Sequence, residues 1–156
     1  MNAVKDVQQI FRAAHLTLGS VESFTGGLFA SKITAVPGAS KFYKGGLITY
    51  FTEEKQRLLD IPIEIIKQYG VVSKEVVELM AKRGLAILNV DCCVAFTGNA
   101  GPEALEDKRV GRVYIGIAFL NKIKVLNYEL SGTRQDIQQQ SVALALNALA
   151  KINKEN

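Results

Sequence analysis

Two short stretches and one lysine carry residues that could do chemistry. The first stretch, VESFTGGLFA at residues 21–30, sets Glu22, Ser23 and Thr25 directly before Gly26 and Gly27, where an apolar run meets one with helical spacing. A serine at a strand-to-helix turn suits a nucleophile, and it suits an ordinary cap. As a nucleophile its hydroxyl is weak at neutral pH and needs a base. His15, the one histidine of the chain, sits in AAHLTL. It stands near the end of the first predicted helix, and its plain reading is a residue favoured by the helix dipole. Lysine is the other established base for serine. Lys55, in TYFTEEKQRLL, falls in the first turn of a helix that Thr52 could cap. The positive end of the dipole lowers an ammonium's pKa there, while Glu53 and Glu54 oppose that effect. On residue type alone Lys55 reads as a solvated surface lysine. The backbone N–H groups of Gly26 and Gly27 suit an oxyanion or a phosphate, and equally a simple glycine turn.

The second stretch is AFTGNAGPEAL. Thr97, Gly98, Asn99, Ala100, Gly101 and Pro102 form a polar, glycine-bearing turn after a buried-looking strand, where backbone donors can meet a ligand. No GK[ST] follows, so it is not a Walker A loop, and it is no dinucleotide fingerprint. Arg109, Arg112 and Arg134 lie in or near the loops flanking a predicted hairpin. Their planar forks suit phosphate, although most such arginines are simply solvated. Cys92 and Cys93 are adjacent in a predicted strand, so they point to opposite faces and cannot readily bridge. With one histidine in the chain, a Cys/His metal cage is disfavoured, and both cysteines read as small buried hydrophobes.

The elements that must position these residues follow from periodicity. Val4, Val7, Ile10, Phe11 and Ala14 share one face of a helix over residues 3–14. LTLGSVE reads as a strand and is followed by a helix to about Val36, stopped by Pro37-Gly38. GLITYF, residues 46–51, is rich in strand formers and leads into the helix that carries Lys55. IEIIKQY is a short helix ending at Gly70, a natural left-handed C-terminal position. Ser73 opens the helix KEVVELMAKRGLAILN. CCVAFT is a strand followed by a long loop. VYIGIAFL and KVLNYEL flank Asn121-Lys122 as a tight hairpin. A last helix runs from about Thr133 to Ile152. Alternating strands and helices with one hairpin predict an α/β fold, a three-layer α/β/α sandwich on a mixed, mostly parallel sheet. The loops at residues 23–27, 44–55 and 97–112 are the expected ligand-facing ones.

Composition agrees with one domain over residues 1–156. Apolar residues make up 48% and charged residues 22%, as in an ordinary globular protein. Nineteen basic against fifteen acidic residues give +4, spread without a charge block. That permits an anionic ligand but supplies no basic stripe for nucleic acid. The start MNAVKDVQQIF lacks a signal-peptide pattern and no apolar run approaches the ~20 residues of a membrane span, so the expectation is a cytoplasmic protein with no membrane partner.

Several of these stretches keep order and spacing with one family. ESFTGG (22–27), VPGASKFYKGGLITY (36–50), Lys55 with LLDIP, YGVVSKEV (69–76), LMAKRG (79–84), FTGNAGP (96–102), VGRVYIGIA (110–118) and SGTR (131–134) together resemble the C-terminal domain of CinA, the competence-damage-inducible protein. Stand-alone members of that family are nicotinamide mononucleotide deamidases. The resemblance implies hydrolysis of the carboxamide of nicotinamide mononucleotide to nicotinic acid mononucleotide and ammonia, with no metal or organic cofactor, in a homo-oligomer. It implies Ser23 as nucleophile, Lys55 as general base and Tyr50 beside them. Backbone donors from Thr25 to Gly27 would face the oxyanion, Thr97 and Gly98 would contact substrate, and Arg134 would lie near the phosphate.

The chain also departs from the family pattern. Phe24 stands where cysteine is common and Asn99 where isoleucine is common. Glu103, Ala104 and Leu105 follow GP in place of a Gly-Gly pair. Gly111-Arg112-Val113 replaces GTV, Gly132-Thr133-Arg134 replaces GDR, and Gln138 replaces a further arginine. These changes sit in ligand-facing loops and leave open an alternative, a weakened member that binds a nucleotide or a protein partner.

Overall fold

The computed structural model describes residues 2–152. The chain opens on α1 (Ala3–Ala13), capped by the Asn2 side chain, which accepts from the N–H of Val4 at 3.1 Å. Next come β1 (Leu18–Glu22), α2 (Leu28–Thr34), a single 3₁₀ turn (Ala39–Lys41), β2 (Tyr43–Ile48), α3 (Thr52–Leu59), α4 (Ile63–Tyr69) and α5 (Lys74–Leu88). β3 (Cys92–Gly98), β4 (Arg112–Phe119), β5 (Lys122–Glu129) and α6 (Arg134–Leu149) complete it. The sheet order is β2-β1-β3-β4-β5. β1 pairs in parallel with β2 and β3, while β4 is antiparallel to both β3 and β5. Four of the five strands therefore run one way, and the sheet is mixed and mostly parallel, as expected.

Helices cover both faces. Val4, Val7 and Phe11 of α1, Phe29 and Ile33 of α2, and Ile137 to Leu149 of α6 pack with Leu18, Cys92, Val94 and Phe96. On the other face, Leu59 of α3, Ile66 of α4 and Val76 to Ala81 of α5 pack with Val21, Cys93 and Ala95. This is the three-layer α/β/α sandwich. β1 and β3 are buried at every position, as befits central strands covered on two sides. Cys92 and Cys93 are free, buried and divided between the two cores, and burial pushes both thiols up, Cys93 to about 12. α5 lies close on the sheet. A Cβ on Gly116 would stand 2.7 Å from the carbonyl oxygen of Val77, so that strand position must be glycine to admit the helix backbone.

Several expected boundaries shift. The predicted strand 46–51 is displaced: β2 ends at Ile48, and Thr49, Tyr50 and Phe51 form the connection into α3. Phe51, not Thr52, holds the cap position of α3, with no side-chain cap bond. The hairpin turns at Leu120-Asn121, one residue earlier than expected, because Phe119 pairs with Lys122. Gly70 does have positive φ, but its ψ of 162° is extended rather than left-handed helical. α6 is capped by Thr133, which with Asp136 closes a capping box, and it stops at Leu149. Among the described residues no helix is long and apolar enough to cross a membrane.

Candidate active site

The C-terminal ends of β1, β2 and β3 open on one edge of the sheet, the place where open α/β sheets bind ligands. At the end of β1 the pleat alternates, and the Glu22 side chain runs under α2. It is 1% exposed. Its Oε1 accepts from Thr25 Oγ1 at 2.7 Å, Gly27 N–H at 3.1 Å and Phe29 N–H at 3.0 Å, and its Oε2 accepts from Ala30 N–H at 3.1 Å. A buried carboxylate thus satisfies the orphan donors at the start of α2, where the helix dipole favours negative charge. The next residue, Ser23, is left at the cleft.

Lys55 reaches Ser23 from α3. Its Nζ donates to Ser23 Oγ at 3.0 Å, to the carbonyl of Thr49 at 2.7 Å and to that of Tyr50 at 3.4 Å. The side chain is 2% exposed, which corrects its reading as a solvated surface lysine. Burial lowers its pKa from 10.5 to about 8, and the charge of Glu106 partly offsets this. Desolvation is the largest cause of the shift, and Glu53 and Glu54 are not among its causes. The coordination suits a base. A neutral amine has two N–H groups and one lone pair, and the two carbonyls can take the N–H groups while the lone pair faces the serine hydroxyl. His15 is exposed, with φ of 55°, and β1 separates it from Ser23. A Ser-His triad is excluded by that placement.

Tyr50 stands at the mouth of the same cleft. Its hydroxyl accepts from Arg134 Nη2 at 2.6 Å, and Arg134 Nη1 donates to the carbonyl of Gly101 at 2.6 Å. Arg134 thus bridges the β2–α3 connection and the loop after β3. Thr97 is buried and its hydroxyl donates to the Val71 carbonyl at 2.7 Å. At Gly98 a Cβ would lie 2.9 Å from Cε1 of Phe24, so glycine lets the Phe24 ring sit against β3. Ser23, Phe24, Tyr50, Lys55, Thr97 and Arg134 line a cavity of about 420 Å³, a size suited to a small ligand. Two larger hollows among α1, α2 and α6, about 700 and 680 Å³, hold no nucleophile.

Thr25, Gly26 and Gly27 do not line this cavity. The N–H of Gly26 donates to the Ser23 carbonyl at 3.0 Å and that of Gly27 to Glu22. The expectation that these two glycines offer free donors is therefore corrected: their hydrogen bonds build the turn. Among the described residues the N–H groups of Phe24 and Thr25 have no protein acceptor. Arg109 and Arg112 lie outside the cavity, where both approach Glu129 and Arg112 sits over the Tyr114 ring at 5.1 Å.

Three contributors were not singled out as site residues from the sequence. Glu22 was visible within VESFTGG, but an acid beside a candidate nucleophile does not reveal that it serves a helix. Gln138 donates from Nε2 to the Phe24 carbonyl at 2.8 Å and ties the turn to α6 across 114 residues of chain. Asn99, buried, donates from Nδ2 to the Lys108 carbonyl at 3.0 Å and accepts from Gly101 N–H at 3.2 Å. The Gln138 partner, 114 residues away, is not encoded in local spacing, whereas the Asn99 bond to the N–H two residues on is a local turn contact that asparagine favours.

Comparison with known proteins matches residues 2–152 to the CinA C-terminal domain. A Streptococcus pyogenes serotype M49 protein named as competence-damage inducible is 40% identical over 136 residues, which is 86% of this chain and 32% of that protein. A Bacillus cereus protein of the same naming is 39% identical over 134 residues, 85% of this chain and 32% of its own length. The chain spans about a third of the length of these curated relatives. Among solved structures, a CinA superfamily protein from Escherichia coli aligns with a TM-score of 0.94 at 28% identity, covering 97% of this chain and 88% of that one. A competence/damage inducible protein from Agrobacterium tumefaciens aligns with a TM-score of 0.90 at 29% identity, covering 97% and 93%.

Proposed function

The chain belongs to the CinA C-terminal domain family, and from that membership we propose that it is an amidohydrolase that cleaves the carboxamide of nicotinamide mononucleotide. The observation that carries this reading is the buried contact of 3.0 Å between Lys55 Nζ and Ser23 Oγ. A lysine held near pKa 8 by burial is partly neutral at physiological pH, which is what a general base for serine requires.

In this mechanism neutral Lys55 takes the proton of the Ser23 hydroxyl as Oγ attacks the amide carbon. The negative charge that develops on the amide oxygen is received by the unspent N–H group of Phe24, a residue that lines the cavity. The Lys55 ammonium then gives its proton to the leaving nitrogen, the C–N bond breaks, and ammonia departs, leaving an ester on Ser23. Water attacks that ester, Lys55 takes the water proton, and Ser23 Oγ leaves with it, releasing the carboxylic acid. Arg134 stands at the rim with its fork already aimed across the cleft mouth, and it is assigned to the ligand phosphate. Tyr50 holds that guanidinium through its hydroxyl and holds Lys55 through its carbonyl.

Purified protein incubated with nicotinamide mononucleotide should release ammonia, and Ser23→Ala should release none above the uncatalysed rate. Ligand that raises the melting temperature of the wild type without ammonia release would replace this reading with that of a nucleotide-binding protein.

A further inference from the structure

The loop after β3 is a built flap rather than a slack connection. The Leu105–Lys108 bridge closes a two-residue turn, with the N–H of Lys108 donating to the Leu105 carbonyl at 2.8 Å. Its central residues, Glu106 and Asp107, have φ of 54° and 57°, a conformation that residues with a Cβ avoid. Asn99 fastens the base of the flap at both ends, through Gly101 and Lys108. The tip is fastened by Glu106 alone, whose carboxylate accepts from Val71 N–H at 3.0 Å and Val72 N–H at 3.2 Å. The receiving side is shaped for it. Gly70, with φ of 82°, would place any Cβ 2.8 Å from Glu106 Oε1. The carbonyl of Val71 is in turn held by Thr97. Glu103 and Leu105 on the flap, and Val71 and Val72 beneath it, line the Ser23 cavity.

We propose that Glu106 is a positioning residue for the cleft of the Ser23–Lys55 pair, latching residues 102–108 against Val71 and Val72 as one wall of that cleft. This rests on the assignment of Lys55 as base. The other ionisable groups on the elements around the cleft are Glu53, Glu54 and Arg57 on α3, Glu22 at the end of β1, Glu103 on the flap, Arg134 on α6, and the Tyr50 hydroxyl. Glu106 adds an anionic charge that acts against the effect of burial on Lys55. The latch thus makes one contact serve two ends. While closed it keeps one wall of the Ser23 cavity in place, and its charge also limits how far the lysine's basicity falls.

The two roles give opposite signs when separated. Glu106→Gln keeps an oxygen for one N–H but removes the charge, so the Lys55 titration should move to lower pH, by about half a unit at low salt given the partial exposure of the carboxylate. A flap that merely loosened would admit water and move Lys55 upward. The measurement is an NMR titration of lysine-labelled protein, with the Lys55 signal assigned by its loss in Lys55→Met. In parallel, Glu106→Ala should be cut by trypsin after Lys108 or Arg109 about five-fold faster than wild type, because the tip is released. A Lys55 midpoint that is unmoved or raised in Glu106→Gln overturns the proposal, and so does equal cleavage of Glu106→Ala and wild type. Neither measurement reads turnover. Failure of the wild type to release ammonia would sink the amidase reading by itself, and these two outcomes would be recognisably separate from it.

Discussion

The turn at residues 22–30 and the loop at residues 97–112 both contribute walls to one cleft, yet they are held by different physics. In the turn, one buried carboxylate collects the donors of the segment that follows it, four bonds from a single side chain. Charge, helix dipole and low dielectric act in the same direction there. The loop is held by scattered contacts between side chains and backbone, made by Asn99 at its base and by the exposed Glu106 at its tip. The Asn99 contacts are buried, whereas the Glu106 latch at the tip meets solvent. The proposed nucleophile, Ser23, therefore stands on the rigid wall, and the adjustable wall lines the same cavity. In the proposed mechanism the chemistry is fixed on the first while the loop decides what is admitted.

The largest expected effect tests whether the rigid wall does the chemistry. Lys55→Met should lower turnover by about 10³-fold or more, since the members of such a unit fail together. Its stability should behave in the opposite sense. The folded pKa of Lys55 is depressed to about 8 from 10.5, so the unfolded chain binds more protons between those values and wild-type stability rises as pH climbs through that window. Below pH 8 the full penalty of the buried ammonium is present. The melting temperature of Lys55→Met relative to wild type should therefore improve as pH falls from 10.5 to 8 and then level off. A difference that stays flat across the window would contradict a buried, depressed lysine. Activity should rise with pH toward a plateau above about 8 for the same reason.

The next effect tests what makes that wall rigid. Glu22→Ala leaves the donors of Thr25 and Phe29, which are buried, and of Gly27 and Ala30, which are half-buried, without their acceptor. The cost should be about 3 kcal/mol of global stability, set by the penalty for unsatisfied buried donors. Denaturant unfolding measures it directly. A loss under ~1 kcal/mol would mean that the carboxylate does not organise the start of α2.

Much of this was legible in the sequence, and for identifiable reasons. Apolar spacing and turn residues announced the order of the described helices and strands, because most elements bury a face or stripe, although the strand expected at 46–51 lies at Tyr43–Ile48. The strand-to-helix turn at Ser23 and the glycine-bearing loop at Thr97 announced themselves through residue type. Lys55 did not. Its burial arises because α3 tucks under the Thr49–Tyr50 carbonyls, and nothing in TYFTEEKQRLL distinguishes a lysine folded inward from one in water. The strand before it was displaced for a related reason: Thr49 and Tyr50 are good strand formers whose carbonyls are used by Lys55 instead of extending the ladder of β2. The roles of Gly26 and Gly27 also escaped, since glycine marks a sharp turn without telling which donors the turn consumes.

The smallest effects should separate the two walls most finely. Asn99→Ala removes both ties at the base of the loop and should raise KM by about 5- to 10-fold with little change in kcat, since weakened polar contacts of about 1 kcal/mol each loosen the binding wall and not the serine. Gln138→Ala removes a single bond, from Nε2 to the Phe24 carbonyl, and it does so on the rigid side. If Glu22 already fixes the turn, the loss of one outlying tether should change kcat by less than about 3-fold, roughly the worth of one neutral hydrogen bond that water can replace. Phe24 donates the backbone N–H assigned to the oxyanion, and Gln138 grips the carbonyl of the same residue. A drop in kcat well beyond that, with KM unchanged, would show that the oxyanion donor is aimed from α6 and that the rigidity of the turn is borrowed across the molecule. The contrast between a self-contained wall and a tethered one would then have to be redrawn around Gln138.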